Sequence, residues 1–155
     1  MTHSIRQAGP HDVIALGQCF TTAYAPFAAT LDDLPDMAAG VADDIERHLV
    51  WVAEQTDENP PQGTPSIVGG LVLIPQAGFM QLANIAVLPA AAGQGLGGRL
   101  MAFADAEALK RGFREMRLST HAGMPQNISL YRHLGWQETG RTGNKVQMQK
   151  TLPPG

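Results

Sequence analysis

Residues 87–101 read VLPAAAGQGLGGRLM, and this stretch decides the fold. Four glycines, Gly93, Gly95, Gly97 and Gly98, fall within six residues. The apolar run FMQLANIAVL at 79–88 precedes them and reads as a strand. Leu96, Leu100, Phe103 and Ala104 follow at helical spacing and predict a helix from about 97 to 111. Glycine lets a backbone turn freely and approach a ligand closely. A helix start leaves unpaired N–H groups, and its dipole favours anions. The stretch therefore predicts a cradle for phosphate oxygens built from Gly93, Gly95, Leu96, Gly97 and Gly98, with Gln94 and Arg99 as side-chain donors.

Two phosphate-binding patterns compete for this cradle. Gly93, Gly95 and Gly98 satisfy G-x-G-x-x-G, and Glu115 stands 17 residues beyond Gly98, near where a ribose-binding acid would sit. That fingerprint needs a tight strand-to-helix turn, whereas Leu88 to Ala92 intervenes here, and it normally opens its fold. A nucleoside-triphosphate loop needs Gly-Lys-Ser/Thr, and Gly98 is followed by Arg99 and Leu100.

The strand before the glycines has an odd parity. Met80 and Leu82 share one face, and Ile85 and Val87 would share the other. One extra residue near Ala83–Asn84, a β-bulge, reconciles them, and bulges often stand beside active sites. Further out, HLVWVAE and SIVGGLVLIP read as two strands joined by the loop Gln55 to Pro65. Val13, Leu16, Phe20 and Tyr24 predict a helix over 11–25 with Asp12 as its N-cap. A loop containing Pro26 and Pro35 follows, then a weaker helix near 37–48. Met116 to Thr120 reads as a short strand, 125–134 as a short helix, and 135–138 and 145–150 as closing strands around GRTGN.

The 155 residues suit one domain, with 44% hydrophobic and 16% charged residues. A single cysteine, Cys19, excludes an internal disulfide and reads as a small buried hydrophobe. No run approaches the ~20 apolar residues of a membrane span, and the start lacks a basic-then-apolar leader, so a cytoplasmic location is expected. A net charge of −3 does not suggest a nucleic-acid partner. The halves differ: residues 1–98 carry 2 basic and 10 acidic side chains, and residues 99–155 carry 9 and 4.

The second chemical signal is Asn127 to Trp136, NISLYRHLGW. Together with VLPAAAGQGLGGRLM it resembles the acyl-CoA-binding core of the GNAT superfamily of N-acetyltransferases. Gly95 and Gly97 match the family's pyrophosphate loop, Arg/Gln-x-x-Gly-x-Gly/Ala, whereas Ala92 stands where Arg or Gln is usual. Asn127, Tyr131, Gly135 and Trp136 are similar to the second segment in order and spacing. The resemblance implies a single acetyltransferase-like domain over 1–155: an α/β (α+β mixed) fold with a mostly antiparallel mixed sheet, splayed between its fourth and fifth strands and flanked by about four helices. It implies acetyl-CoA as co-substrate, a small-molecule amine as acceptor, and no metal, membrane or nucleic acid. A homodimer is expected because relatives often pair.

The implied mechanism assigns roles to named residues. Backbone groups of Ile85, Ala86 and Val87 would pair with the pantetheine arm, and a bulge N–H would polarise the acetyl carbonyl. Tyr131 would protonate the leaving thiolate, since a phenol near pKa 10 still carries its proton at neutral pH. Asn127 would contact the cofactor or the splay, with helix capping as the alternative. Some relatives use a strand glutamate as base, but the comparable position here is near Gln81. The base therefore stays open, with His121 first among the side chains and Glu54 acting through water as an alternative. Tyr24, Phe27, Asp32 and Asp33 would border the acceptor groove, and Asp32, Asp33 or Asp36 would attract a cationic amine. Two other readings remain: an acyl-CoA-binding module without turnover, and a small dinucleotide-binding oxidoreductase domain.

Overall fold

The computed structural model describes residues 2–153. Seven strands form one sheet: β1 (His3–Gln7), β2 (Leu49–Gln55), β3 (Ile67–Pro75), β4 (Met80–Val87), β5 (Glu115–His121), β6 (Gln137–Thr142) and β7 (Lys145–Thr151). Four helices accompany them: α1 (Val13–Ala28), α2 (Val41–Arg47), α3 (Leu96–Lys110) and α4 (Pro125–His133). The sheet order is β1-β2-β3-β4-β5-β7-β6, antiparallel throughout except for the parallel pair β4–β5. Among the described residues no helix is long and apolar enough to cross a membrane.

A glycine pair in β3 sets how the helices seat on the sheet. A Cβ added at Gly70 would lie 2.4 Å from Leu16 Cδ1 of α1, and one added at Gly69 would lie 3.2 Å from Leu100 Cδ1 of α3. Adjacent strand residues point to opposite faces. The two glycines thus let α1 press on one face and α3 on the other. Leu16, Phe20, Leu71, Leu100 and Met116 are fully buried between these layers.

The bulge forms where the parity of the sequence demands it. Asn84 pairs with Val72 and Leu82 with Leu73, so Ala83 has no opposite residue. The extra residue puts Leu82 and Ile85 on one face, opposite Leu73 and Leu71 respectively. Beyond Met80↔Met116 and Gln81↔Arg117, β4 and β5 part company, which opens the middle of the sheet.

Two elements and one helix cap differ from the sequence pattern. β1 has no signature, because HSIRQ carries one apolar side chain; it is held by pairing with β2. Helix α1 runs through Pro26 to Ala28, since a proline this near the end removes one hydrogen bond without breaking the apolar stripe. Asp12 does not cap α1 through its side chain. Its carboxylate instead accepts two bonds from the Arg6 guanidinium, at 2.8 and 2.9 Å, and one from the Gly9 N–H at 2.8 Å.

Asp12 is 3% exposed, and the Arg6 bonds hold its carboxyl down to about 2. A lowered folded pKa adds stability above the unfolded value of 3.8 that disappears as pH falls through the folded value. Asp12→Asn is therefore expected to cost about 2 kcal/mol near neutral pH, with the difference from wild type vanishing between pH ~4 and ~2. Urea unfolding of both proteins at several pH values checks this; a pH-independent difference would contradict it.

Candidate functional site

The gap between β4 and β5 sits at the mouth of two adjoining cavities. One, of about 410 Å³, runs from the gap to the glycine loop and the start of α3. The other, of about 340 Å³, lies under the segment 33–37 that links α1 to α2 and reaches the ends of β5 and β7. Four residues line both cavities: Tyr24, Ile85, Asn127 and Tyr131.

The first cavity is bounded by unsatisfied backbone groups. Gly93 and Gly95 have φ of +79° and +76°, left-handed geometry that glycine adopts without strain. Gly95 is the N-cap of α3, and no side chain caps this helix. The Arg99 N–H is the first to find an α-helical partner, the Gly95 carbonyl, at 3.0 Å. The N–H groups of Leu96, Gly97 and Gly98 precede it and have no partner within the helix. All three residues line the cavity. Among the described residues, apart from its chain neighbours and the backbone of its own helix, nothing lies within 4 Å of a Cβ built at Gly93, Gly95 or Gly98, so the space over the loop is open. Such a helix start is a ready anion site.

The long wall of this cavity is the edge of β4. The Leu88 N–H donates to the Val68 carbonyl of β3 at 2.8 Å. Alternation along the strand then points Ala86 toward β3 as well, and turns the backbone groups of Ile85 and Val87 toward the gap. Ala86 lines the cavity, but its backbone belongs to the sheet. Ile85 and Val87 are thus the two residues with strand-edge groups facing the opening.

The side-chain donors expected from the loop lie elsewhere. Neither Gln94 nor Arg99 lines the cavity; an Arg99 Nη reaches the His3 carbonyl of β1 at 3.4 Å. Phe27 is present, but on the glycine-loop cavity and not on the one beneath segment 33–37. Leu130 of α4 and Leu134, which caps its C-terminus, also border it; both lie in the Asn127–Trp136 segment, but neither was given a role there.

Both tyrosines of the chain stand at the junction, with different bonds. The Tyr24 hydroxyl donates to Asn84 Oδ1 at 2.9 Å and to the Ile85 carbonyl at 3.1 Å. Among the described residues the Tyr131 hydroxyl has no such partner. Burial pushes Tyr131 up to about 12 and raises Tyr24 further. The Tyr131 ring packs edge-on against Trp136, with centroids 6.1 Å apart, and the Trp136 backbone N–H donates to the Tyr131 carbonyl at 2.9 Å. Asn127 lies in the first turn of α4, but the N-cap is Met124, so its side chain is not a cap.

In the second cavity, Asp33 accepts from His121 Nε2 at 2.7 Å and from Asn144 Nδ2 at 2.8 Å. These bonds hold its carboxyl below the usual range. The Gly123 N–H donates to His121 Nδ1 at 2.8 Å. An accepting Nδ1 leaves the ring proton on Nε2, where it faces Asp33. His121 therefore presents no free lone pair for use as a base. Glu54 is paired with Arg6 at 2.7 Å, at the β1 edge and away from both cavities. Asp32 lines neither cavity, and Asp36 accepts from the Ala38 N–H at 3.0 Å within its own turn. Asn84, Ser119 and Asn144 are site residues that the sequence reading did not single out. For Asn84 a signal existed: it is a polar residue at the bulge of an otherwise apolar stretch.

The sheet is mixed and splits between two parallel strands, with a glycine-started helix at the split. The structure is similar to that of the PaiA N-acetyltransferase from Thermoplasma acidophilum in complex with coenzyme A, at a TM-score of 0.82 and 19% identity, over 97% of this chain and 99% of that one. It is also similar to the ribosomal-protein-S18-alanine N-acetyltransferase from Escherichia coli, at a TM-score of 0.75 and 22% identity, over 97% and 94%. In sequence, residues 46–138 match the acetyltransferase (GNAT) domain model. The N-acetyltransferase YjgM of Escherichia coli (strain K12) is 31% identical over 116 residues, which cover 68% of this chain and 65% of that protein. The chain belongs to the GNAT acetyltransferase family. That membership sets aside the dinucleotide-binding reading of the glycine loop.

Proposed function

We propose that the protein is an acetyl-CoA-dependent N-acetyltransferase that acts on a primary amine of a small molecule, with Tyr131 as general acid. The observation that carries this reading is the meeting of two cavities at Tyr131, whose hydroxyl has no partner among the described residues. One cavity suits the donor. Its open amides at Leu96, Gly97 and Gly98 would hold the pyrophosphate, and the free edge at Val87 would pair with the amide-bearing arm. With Arg99 turned to β1 and Ala92 in the loop, backbone groups carry the phosphate contact. The other cavity, closed over by segment 33–37, has the size of a small molecule and the Asp33 carboxylate in its wall.

Acetyl-CoA supplies the acetyl thioester and, in it, a thiol leaving group with a pKa of about 8.5. The chain's own groups do the rest. The Ile85 N–H faces the gap beside the bulge, where a carbonyl oxygen gaining charge would accept its bond. The two cavities meet at Tyr131, which would set acceptor and donor side by side, and positioning alone is worth roughly 7–11 kcal/mol in ideal cases. The Tyr131 hydroxyl then gives its proton to the departing sulfur. In the wall of the acceptor cavity His121 is engaged at both ring nitrogens, which supports an amine that sheds its proton to solvent.

Calorimetric titration with acetyl-CoA, and with NADH in parallel, tests the donor assignment. Saturable binding of acetyl-CoA alone, followed by thiol release with a panel of small amines, is the expected result. Acetyl-CoA binding without release for any small amine or peptide N-terminus would leave a binding module and sink the catalytic reading.

A further inference from the structure

Strand β4 loses its neighbour β5 beyond Gln81, so the backbone groups facing the gap have no strand to pair with. One of them is nevertheless satisfied. The Tyr24 hydroxyl, reaching in from α1, stands 3.1 Å from the Ile85 carbonyl and takes the place of the missing strand's N–H. The same hydroxyl lies 2.9 Å from Asn84 Oδ1, and the Asn84 side-chain amide donates to the Met37 carbonyl at 3.4 Å. That second bond fixes which end of the Asn84 amide faces the tyrosine. The contacts join residues 60 positions apart at the bulge that Ala83 creates.

We propose that Tyr24 is a positioning residue for acyl transfer: by clasping the Asn84 side chain and the Ile85 carbonyl, it holds the intervening peptide so that the Ile85 N–H is aimed at the thioester carbonyl. This rests on the acetyltransferase reading and adds a residue to it. The peptide group carrying the Ile85 N–H lies between the two clasped points, so rotation about either would swing that N–H. A bulge alone leaves it freer than a strand interior, because Ala83 has no opposite residue to fix it. The clasp also separates the two tyrosines at the junction. Tyr24 has spent its proton on the bulge and has none to give a ligand, so it would border the acceptor groove through its ring.

The test reads the carbonyl directly. Acetyl-CoA labelled with ¹³C at the acetyl carbonyl is bound to wild type, Tyr24→Phe and Asn84→Ala, and its infrared band is recorded with no acceptor present. The expected result is a band lowered on binding to wild type and shifted back toward the free value in Tyr24→Phe. With an acceptor amine, kcat should fall about 10- to 100-fold, as expected for a displaced polarising group, while the acetyl-CoA Kd moves by less than about threefold. The double variant should be no slower than the slower single variant, because both act through one clasp. A wild-type band and kcat in Tyr24→Phe would overturn the proposal, as would a loss confined to acetyl-CoA affinity. Should Tyr24→Phe fail to fold, Asn84→Ala carries the same measurement. Wild type that fails to bind acetyl-CoA would instead sink the acetyltransferase reading, a distinguishable result.

Discussion

Tyr131→Phe is expected to lower kcat by roughly 10²- to 10⁴-fold, the contribution of a positioned general acid, with little effect on acetyl-CoA affinity. The substitution keeps the ring and its edge-on packing against Trp136, which is 2% exposed. Only a hydroxyl without a partner among the described residues is lost, so the variant should unfold at the same denaturant concentration as wild type. Burial pushes Tyr131 up to about 12, so it holds its proton across the neutral range. Transfer to a free thiolate, whose conjugate acid lies near pKa 8.5, runs uphill, so the proton must move as the C–S bond breaks, while charge is building on the sulfur, and return to Tyr131 from solvent. The raised value also predicts no alkaline fall in kcat from Tyr131 below about pH 11. Rates measured with acetyl-CoA and acceptor both saturating check the first point, and a pH–rate profile the second. Turnover of Tyr131→Phe within about threefold of wild type would remove the acid from the scheme.

What the sequence made legible is local. The glycine loop and the bulge are both written in neighbouring residues, one as an unusual density of glycine and the other as a parity that cannot continue. Periodicity marked α1 and α3 in the same way, since each buries one stripe. The unread parts depend on distant partners. β1 exists because β2 offers it a ladder, not because HSIRQ has a strand pattern. Asp33 takes its place from His121 and Asn144, 88 and 111 residues away. Tyr24 lies on the predicted helix face, but its hydroxyl partner is on a different element.

The uneven charge of the two halves does not locate a ligand, for a related reason. The basic second half suggests cations held ready for phosphates. In the structure Arg111, Arg117, Arg132, Arg141 and Lys150 pair with acids of that same half, and Arg99 turns to β1. A net charge says how many side chains are uncompensated, not where they stand. The same partner logic decides His121: an imidazole near a site is a base only if one nitrogen is free, and Gly123 and Asp33 occupy both.

If backbone amides carry the phosphates, the most damaging single change in the loop is one that alters backbone shape. Gly95→Val is expected to weaken acetyl-CoA binding by roughly 10- to 100-fold. Gly95 has φ +76° at the N-cap of α3. A β-branched residue held there is strained by about 1–3 kcal/mol. Either the loop keeps its shape and the new side chain projects into the open space over it, or the loop relaxes and the Leu96, Gly97 and Gly98 amides lose their common aim. Both outcomes reduce anion binding. Gly112 provides the control: its φ is +88°, and nothing stands within 4 Å of an added Cβ. It follows the far end of α3, about 22 Å along the helix. Gly112→Val should carry comparable strain, and so a comparable loss of unfolding free energy, with acetyl-CoA affinity retained. Calorimetric titration of both variants separates the two effects. Equal affinity loss in both would mean that strain alone weakens binding, and a wild-type affinity in Gly95→Val would mean that the phosphates sit elsewhere.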